Sequence, residues 1–326
     1  MELKEKKVSK KSSIDYIVIA ICTYKRPNLL KQAIDSILCM NFKDEIKTEI
    51  LIIDNDPSAS AKEVVNKFIE KSKIKIHYFV EERTGLSNVR NRALFEGINL
   101  DATHLAFIDD DEIADKDWLV EHINFYNTQQ GVFVSSGPTF SKFEKDYPSY
   151  IKKNNVFKTV STKQHGLIRE NCATGNVFFP LNIVKENNIY FSQDHNFIGG
   201  EDGEFFGRIS KAGYSIGWNT KAINYEIVGE ERANINWILK RKYYNGFCAA
   251  LLKFKENKKT LKRTLYILEK VLTVFVNILL SIVSIFFGRS AFFNCICTTT
   301  INAGKLIGAI TLKPMNYYQK RGESNE

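Results

Sequence analysis

At 326 residues the chain has room for one domain of about 200–250 residues plus an appendage. Its composition, 44% hydrophobic and 25% charged, is that of a globular protein and excludes global disorder. The net charge of +9 is concentrated: Lys240 to Lys270 holds ten Lys or Arg against two Glu, a surplus of eight, just before the most apolar run. No stacking-aromatic or recognition-helix pattern accompanies it, so an anionic membrane surface, and no nucleic acid, is the expected partner of Lys240–Lys270.

Met1 to Ser13 is rich in Lys, but the apolar run behind it reaches only from Tyr16 to Cys22. That is too short for a secretory leader, and export is not expected. From Asp15 to about Tyr126, strand-like and helix-like segments alternate. Strands are expected at Tyr16–Cys22, Glu49–Ile53, Ile74–Phe79 and Thr103–Ile108, with helices at Leu29–Met40, Ala61–Lys71 and Leu86–Leu100 between them. The short connections suit βαβ units and predict an α/β fold with a doubly wound, mainly parallel sheet. Cys22 and Cys39 sit in apolar contexts and are expected as buried thiols. Cys295-x-Cys297 lacks further ligand partners, so no zinc site is expected.

Gly131 to Ser136 reads as a further strand, and the basic, weakly periodic stretch Pro138–Arg169 as an acceptor-side flap. Asn176–Phe179 is a strand and Leu181–Glu186 a helix; Glu204–Ala212 is a helix closed by Gly213. Trp237–Phe254 forms a basic amphipathic helix. Val271–Phe287 has no charge over 17 positions, against about 20 apolar residues for a bilayer span. Thr273, Asn277, Ser281, Ser284 and Gly288 make one weakly polar stripe opposite a Val/Leu/Ile/Phe face. Such a stripe suits packing on another helix or a place in the membrane interface. Ala291–Leu312 is more broken. The expected organisation is a basic tail (1–14), a catalytic domain (15–252), and a basic linker with membrane-associating helices (253–326).

Chemistry concentrates where parallel strands end. Asp109-Asp110-Asp111 follows Thr103–Ile108, at the sheet edge where α/β folds place ligand crevices. Three like charges there need a cation, and hard oxygen ligands suit Mg²⁺ or Mn²⁺ with phosphate completing the shell. The alternative is an acidic cap on a helix beginning near Asp115–Trp118. Asp54-Asn55-Asp56 ends the second strand. Turn chemistry explains that composition, but Asp54 could also accept from a nucleobase or ribose hydroxyl. Arg83 or Arg90 could reach a diphosphate beside the next helix N-terminus. Thr23 to Asn28 carries neither a dinucleotide glycine fingerprint nor a P-loop and, taken alone, reads as structural. Glu201-Asp202 is either a helix cap or a general-base pair. His104, His165 and His195 have no paired spacing and are read as incidental.

Ile21-Cys-Thr-Tyr-Lys-Arg-Pro27, Ile52-Ile-Asp-Asn-Asp-Pro57, Gly85-Leu-Ser-Asn-Val-Arg-Asn-Arg92 and Phe107-Ile-Asp-Asp-Asp-Glu112 resemble the motifs of family-2 inverting glycosyltransferases with the GT-A fold. Gly175–Phe178, Gly199-Gly-Glu-Asp202 and Glu226 through Gly246 continue the likeness in family order, from about Asp15 to Leu252. Within that family the chain is most similar to bacterial polysaccharide-biosynthesis enzymes of the succinoglycan type. The resemblance implies donor contacts at Thr23, Arg26, Asp54, Asn55, Arg83, Arg90, Asp109 and Asp110. It implies Mn²⁺ or Mg²⁺ on Asp109 and Asp111, with Asp202 as catalytic base beside Glu201. Arg241 is a possible diphosphate contact. There is no Gln-x-x-Arg-Trp, so single-sugar transfer is expected rather than processive synthesis. By the same resemblance a nucleotide sugar, UDP-linked, would be the donor and a lipid-linked or membrane glycan the acceptor, at the cytoplasmic face. The rival readings are a catalytically inactive membrane-docked nucleotide-sugar-binding protein, a sugar nucleotidyltransferase, and a lipid-binding protein with acidic helix caps.

Overall fold

The computed structural model describes residues 11–157, 164–196, 198–255 and 260–313. The chain divides into two units, Met1–Phe140 with Val160–Glu226, and Ser141–Thr159 with Ile227–Glu326. This differs from an expected boundary at Leu252: the segment 141–159 and the helix after Ile235 belong with the C-terminal helices. The basic stretch Met1–Lys10, residues 256–259 of the linker and 158–163 of the flap lie outside the described residues.

Chain order in the first unit opens with strand–helix alternation: β1 (Tyr16–Thr23), α1 (Pro27–Leu38), β2 (Lys47–Asp54), α2 (Lys62–Ile69), β3 (Ile76–Val80), α3 (Leu86–Asn99) and β4 (His104–Asp109). Then come β5 (Glu112–Ala114), α4 (Trp118–Thr128), β6 (Val132–Ser136), and β7 (Thr139–Phe143), which leads to α5 (Ser149–Lys152) of the second unit. The first unit resumes with β8 (Ile168–Arg169), β9 (Asn176–Pro180), α6 (Asn182–Asn187), α7 (Glu201–Lys211) and β10 (Ser215–Trp218). β11 (Asn224–Val228) leads out of it.

Among the described residues the main sheet runs β3-β2-β1-β4-β9-β6-β10-β8. β1, β2, β3 and β4 are mutually parallel, β9 is antiparallel to its neighbours β4 and β6, and β10 runs parallel to β6. A sheet covered on both faces needs strands that are apolar throughout. Ile17, Ile19, Ile21, Ile50 and Ile52 face α1 and α4, meeting Leu30, Ile34 and Trp118. The alternate residues Val18, Ala20, Leu51 and Ile53 face α3 and α7, meeting Val89, Leu94 and Phe205. Both layers are filled by buried apolar side chains. The mainly parallel, doubly wound expectation holds.

Several elements depart from expectation. β5 stands where a helix cap was an alternative, and pairs antiparallel with β11; α4 starts only at Trp118. α7 begins at Glu201, three residues early. His104 is wholly buried and stacked on Phe178, and burial lowers it to about 3, so it is a neutral core residue. Cys39 is exposed, because it follows the last turn of α1 instead of facing the core. All six cysteines are free.

The second unit is built on α8 (Ile235–Lys255), α9 (Thr260–Ser284) and α10 (Arg289–Thr311). α10 is one continuous helix, not a broken stretch. It meets α8 at glycines: a Cβ on Gly246 would lie 2.0 Å from the Ile301 carbonyl oxygen, and one on Gly304 2.0 Å from that of Tyr243. Gly308 approaches the Phe247 carbonyl in the same way. Removing side chains at these points lets two helix backbones touch.

Candidate active site

Parallel order brings the C-terminal ends of β1, β2 and β4 side by side: Thr23 pairs in register with Asp54, and Cys22 with Asp109. The acidic run after β4 is braced from β1 and the turn behind it. Thr23 Oγ1 donates to Asp110 at 2.8 Å. Arg26 Nη1 reaches Asp110 at 3.1 Å and Asp111 at 3.3 Å. Pro27 opens α1 directly behind Arg26, so this turn, read alone as structural, aims a cation at the acidic run.

A second brace comes from α3 and α7. The Arg90 guanidinium is buried, ion-paired with Glu201 and 3.8 Å from Asp109. Asp202 sits next to Glu201 in the first turn of α7, partly exposed, and its charge bears on both Arg90 and Asp109. Gly200, in the left-handed region at φ 78°, occupies the capping position, and no side chain caps α7. Neither Glu201 nor Asp202 is the N-cap residue itself, although Asp202 Oδ1 accepts from Gly203 N–H at 2.7 Å within the first turn. Carboxylates more than ninety positions apart meet around one arginine.

The electrostatics follow from this crowding. Burial, opposed by Arg90 and reinforced by Asp111, Asp110 and Asp202, raises Asp109 to about 7. Burial, opposed by Arg26, raises Asp110 to about 6. The Asp109 side chain is 44% exposed, so water screens part of this effect. Its open side is where further positive charge would be accepted. Asp109 and Asp111 offer only oxygen donors, which fit a hard divalent cation. Among the described residues no three His, Cys, Asp or Glu side chains form a ligand set of their own. An ion here would need phosphate oxygens to complete its shell.

The other expected donor contacts are placed differently. Asp54 has no exposed surface; its carboxylate accepts from Asp56 N–H, Ala61 N–H and the Tyr78 hydroxyl. Asn55 ties the ends of β2 and β3 together, donating to the Glu81 and Arg83 carbonyls and accepting from Gly85 N–H. Both shape the loop. Arg83 is 72% exposed beside Glu81. The N-terminus of α3 is not open to a diphosphate, because Asn196 Oδ1 accepts from Ser87 and Asn88 N–H. Gly85 (φ 128°) has to be glycine there, since a Cβ would overlap the Asn196 side chain at 2.2 Å. Arg241 lies on α8 in the second unit, partly buried.

Sequence reasoning missed the support beneath the acidic run. Glu112 Oε2 accepts from Asp109 N–H at 3.0 Å and from Asn224 Nδ2 at 2.8 Å. Asn224 is bonded in turn by Asn176, whose Oδ1 accepts from Trp118 Nε1 and from His122. Burial, with Asp109 nearby, pushes Glu112 well above the usual carboxylate range. The fold also places Gly175 against it, where a Cβ would sit 2.6 Å from the Glu112 carboxylate, a closeness the sequence does not show.

The doubly wound sheet, with acidic and basic side chains gathered at its strand ends, has a GT-A-like fold, as its likeness to solved structures shows. Residues 18–185 match the sequence profile of glycosyl transferase family 2, just over half the chain, and the chain belongs to that family. It is 28% identical over 231 residues to the succinoglycan biosynthesis protein ExoM of Rhizobium meliloti, covering 71% of this chain and 73% of that protein. Among solved structures it is similar to S. aureus TarS 1-349 in complex with UDP-GlcNAc, with a TM-score of 0.52 and 16% identity over 71% of this chain. The match spans 66% of the TarS fragment, just under two thirds. It is also similar to the mannosyltransferase PcManGT of Pyrobaculum calidifontis in complex with GDP-Man and Mn²⁺. There the TM-score is 0.54 and the identity 13%, over 91% of this chain and 73% of that one. At such identities the structures establish the fold, and the chain is a glycosyltransferase by family.

Proposed function

We propose that this glycosyltransferase moves one sugar, with inversion, from a UDP-linked donor to a lipid-linked or membrane glycan at the cytoplasmic face. The product would enter a cell-surface polysaccharide, a role supported by the similarity to ExoM. Asp202 takes the proton of the acceptor hydroxyl as its oxygen bonds to C1 of the sugar. The C1–O bond to the diphosphate breaks on the opposite side, and an α-linked donor becomes a β-glycoside. Asp109 and Asp111 would hold Mn²⁺ or Mg²⁺ together with the donor diphosphate; when bound, the cation neutralises the departing charge. Arg26 and Thr23 keep the acidic run in place, and Arg90 with Glu201 fixes Asp202 relative to it. Arg241 as a diphosphate contact is part of the same proposal, as is docking of the C-terminal helices on the membrane.

The observation that carries the reading is the buried Arg90, ion-paired with Glu201, the chain neighbour of Asp202, and 3.8 Å from Asp109. Asp202→Asn is expected to abolish UDP release with acceptor present while leaving stabilisation by UDP and Mn²⁺ intact. Turnover at the native rate in that variant, or an α-linked product from the native chain, would remove the base and the inverting mechanism.

A further inference from the structure

α9 has its polarity reversed. In a water-exposed amphipathic helix the apolar face turns inward. Here the inward side carries Arg263, Lys270, Thr273, Asn277, Ser281 and Ser284 beside Tyr266 and Ile267, while Leu272, Phe275, Leu279, Ile282, Phe286 and Phe287 point out along and just beyond the helix. Phe286 and Phe287 are 87% and 75% exposed. Among the described residues it is the one helix long and apolar enough to cross a bilayer. Its 25 residues would extend about 37 Å, longer than a hydrocarbon core of about 30 Å. Length therefore does not decide between spanning and lying in the interface.

The contacts do. α9 runs antiparallel to α10: Arg263 donates to the Ala309 and Ile310 carbonyls at 2.7 and 2.8 Å, and Ser281 lies 3.4 Å from Thr299 near the other end. α10 in turn is fastened to the folded unit at successive turns. Phe293 meets the Tyr150 ring, Cys297 accepts from Asn154, and the glycine contacts bind it to α8. α8 carries Lys240, Arg241 and Lys242 and cannot enter hydrocarbon. A helix held along its length on such a partner has only its outer side to give to lipid.

We propose that α9 docks monotopically, lying along one leaflet with its apolar face in the acyl boundary and the Phe286-Phe287 tip deepest, and does not span. This rests on the membrane docking of the proposed function and adds its topology. The partner is a bilayer surface with anionic headgroups, matched by the basic excess of Lys240–Lys270, of which Lys240, Lys253 and Lys262 are exposed. An acceptor lipid would be drawn from that same leaflet.

The test adds the full chain to sealed vesicles of phosphatidylcholine and phosphatidylglycerol in equal parts. Flotation is expected, and Phe286→Glu with Phe287→Glu should weaken it by roughly tenfold or more. Ser290→Cys, exposed just past the tip, should react with an impermeant maleimide from outside or be shielded from both sides, as located by peptide mass. Flotation with labelling only by reagent trapped in the lumen would overturn the monotopic topology while leaving membrane docking intact. No flotation, with a stable dimer in solution that the same tip changes dissociate, would overturn docking itself and assign the face to a second copy.

Discussion

Arg90→Met would strip Glu201 of its buried counter-charge and Asp109 of its nearest cation. Breaking a buried pair from one side costs about 3–5 kcal/mol, because the remaining charge has neither water nor partner. Glu201 is poorly placed to compensate, since its Oε2 has no hydrogen-bond partner even now. Glu201→Met, leaving Arg90 beside Asp109 and Asp202 only, should cost a similar amount. The double variant replaces the pair with apolar groups of comparable volume and should cost well under the sum, with a coupling of at least about 2 kcal/mol. Some loss remains in it, because Asp109 still lacks Arg90. Of the three tryptophans, Trp118 and Trp218 lie in the first unit. In a Trp237→Phe background, urea unfolding followed by fluorescence therefore reports that unit alone. Losses that simply add in the double variant would refute the view that Arg90 and Glu201 act as one brace between α3 and α7.

Binding of Mn²⁺ with UDP should tighten as pH rises from 6 to 8, because Asp109, raised to about 7, must shed its proton to ligate a cation. Calorimetry in buffers of different ionisation enthalpy should register that proton. Glu49 is opposed by burial but held down to about 2 by hydrogen bonds from Tyr16, His77 and Lys47. With the folded value below the unfolded 4.5, its stabilisation is present above pH 4.5 and fades as pH falls towards 2. Acid unfolding of Glu49→Gln should lack that dependence. Gly304→Ala should destabilise the second unit by about 1–3 kcal/mol, since its Cβ meets backbone at 2.0 Å. Gly207→Ala, within α7 and with nothing within 4 Å of the added carbon, should raise the melting temperature by removing a helix glycine, a gain of about 0.5–1 kcal/mol.

The four parallel strands are legible in the sequence because each must be apolar on both faces, and Asp54 and Asp109 are conspicuous as the polar residues that end such runs. The short strands β5, β7, β10 and β11 are not legible, since three to five residues give no usable period. Asp109–Asp111 and Glu201-Asp202 stand out as clusters of charge. Their connection through Arg90 does not, because Arg90 and Glu201 are 111 positions apart and Arg90 reads in the sequence as a diphosphate contact, not as a partner of Glu201. At Asp54 and Asn55 the sequence suggests ligand contacts, and the fold adds a loop-holding role that a strand-end position alone does not reveal. The Asn176–Asn224–Glu112 relay is hidden for the same reason, because isolated asparagines read as turn formers until a fold buries them.

The glycine seams between α8 and α10 bear on how the exposed apolar side of α9 could be removed. Cutting the chain before α9 would discard α10 as well, baring the Gly246–Phe247 side of α8 and the cluster of Ile151, Phe157 and Ile238 that Phe293 and Cys297 now cover. Such a deletion trades one greasy surface for another. Repainting the outward side of α9 with polar residues, one helical turn at a time, would keep the second unit whole.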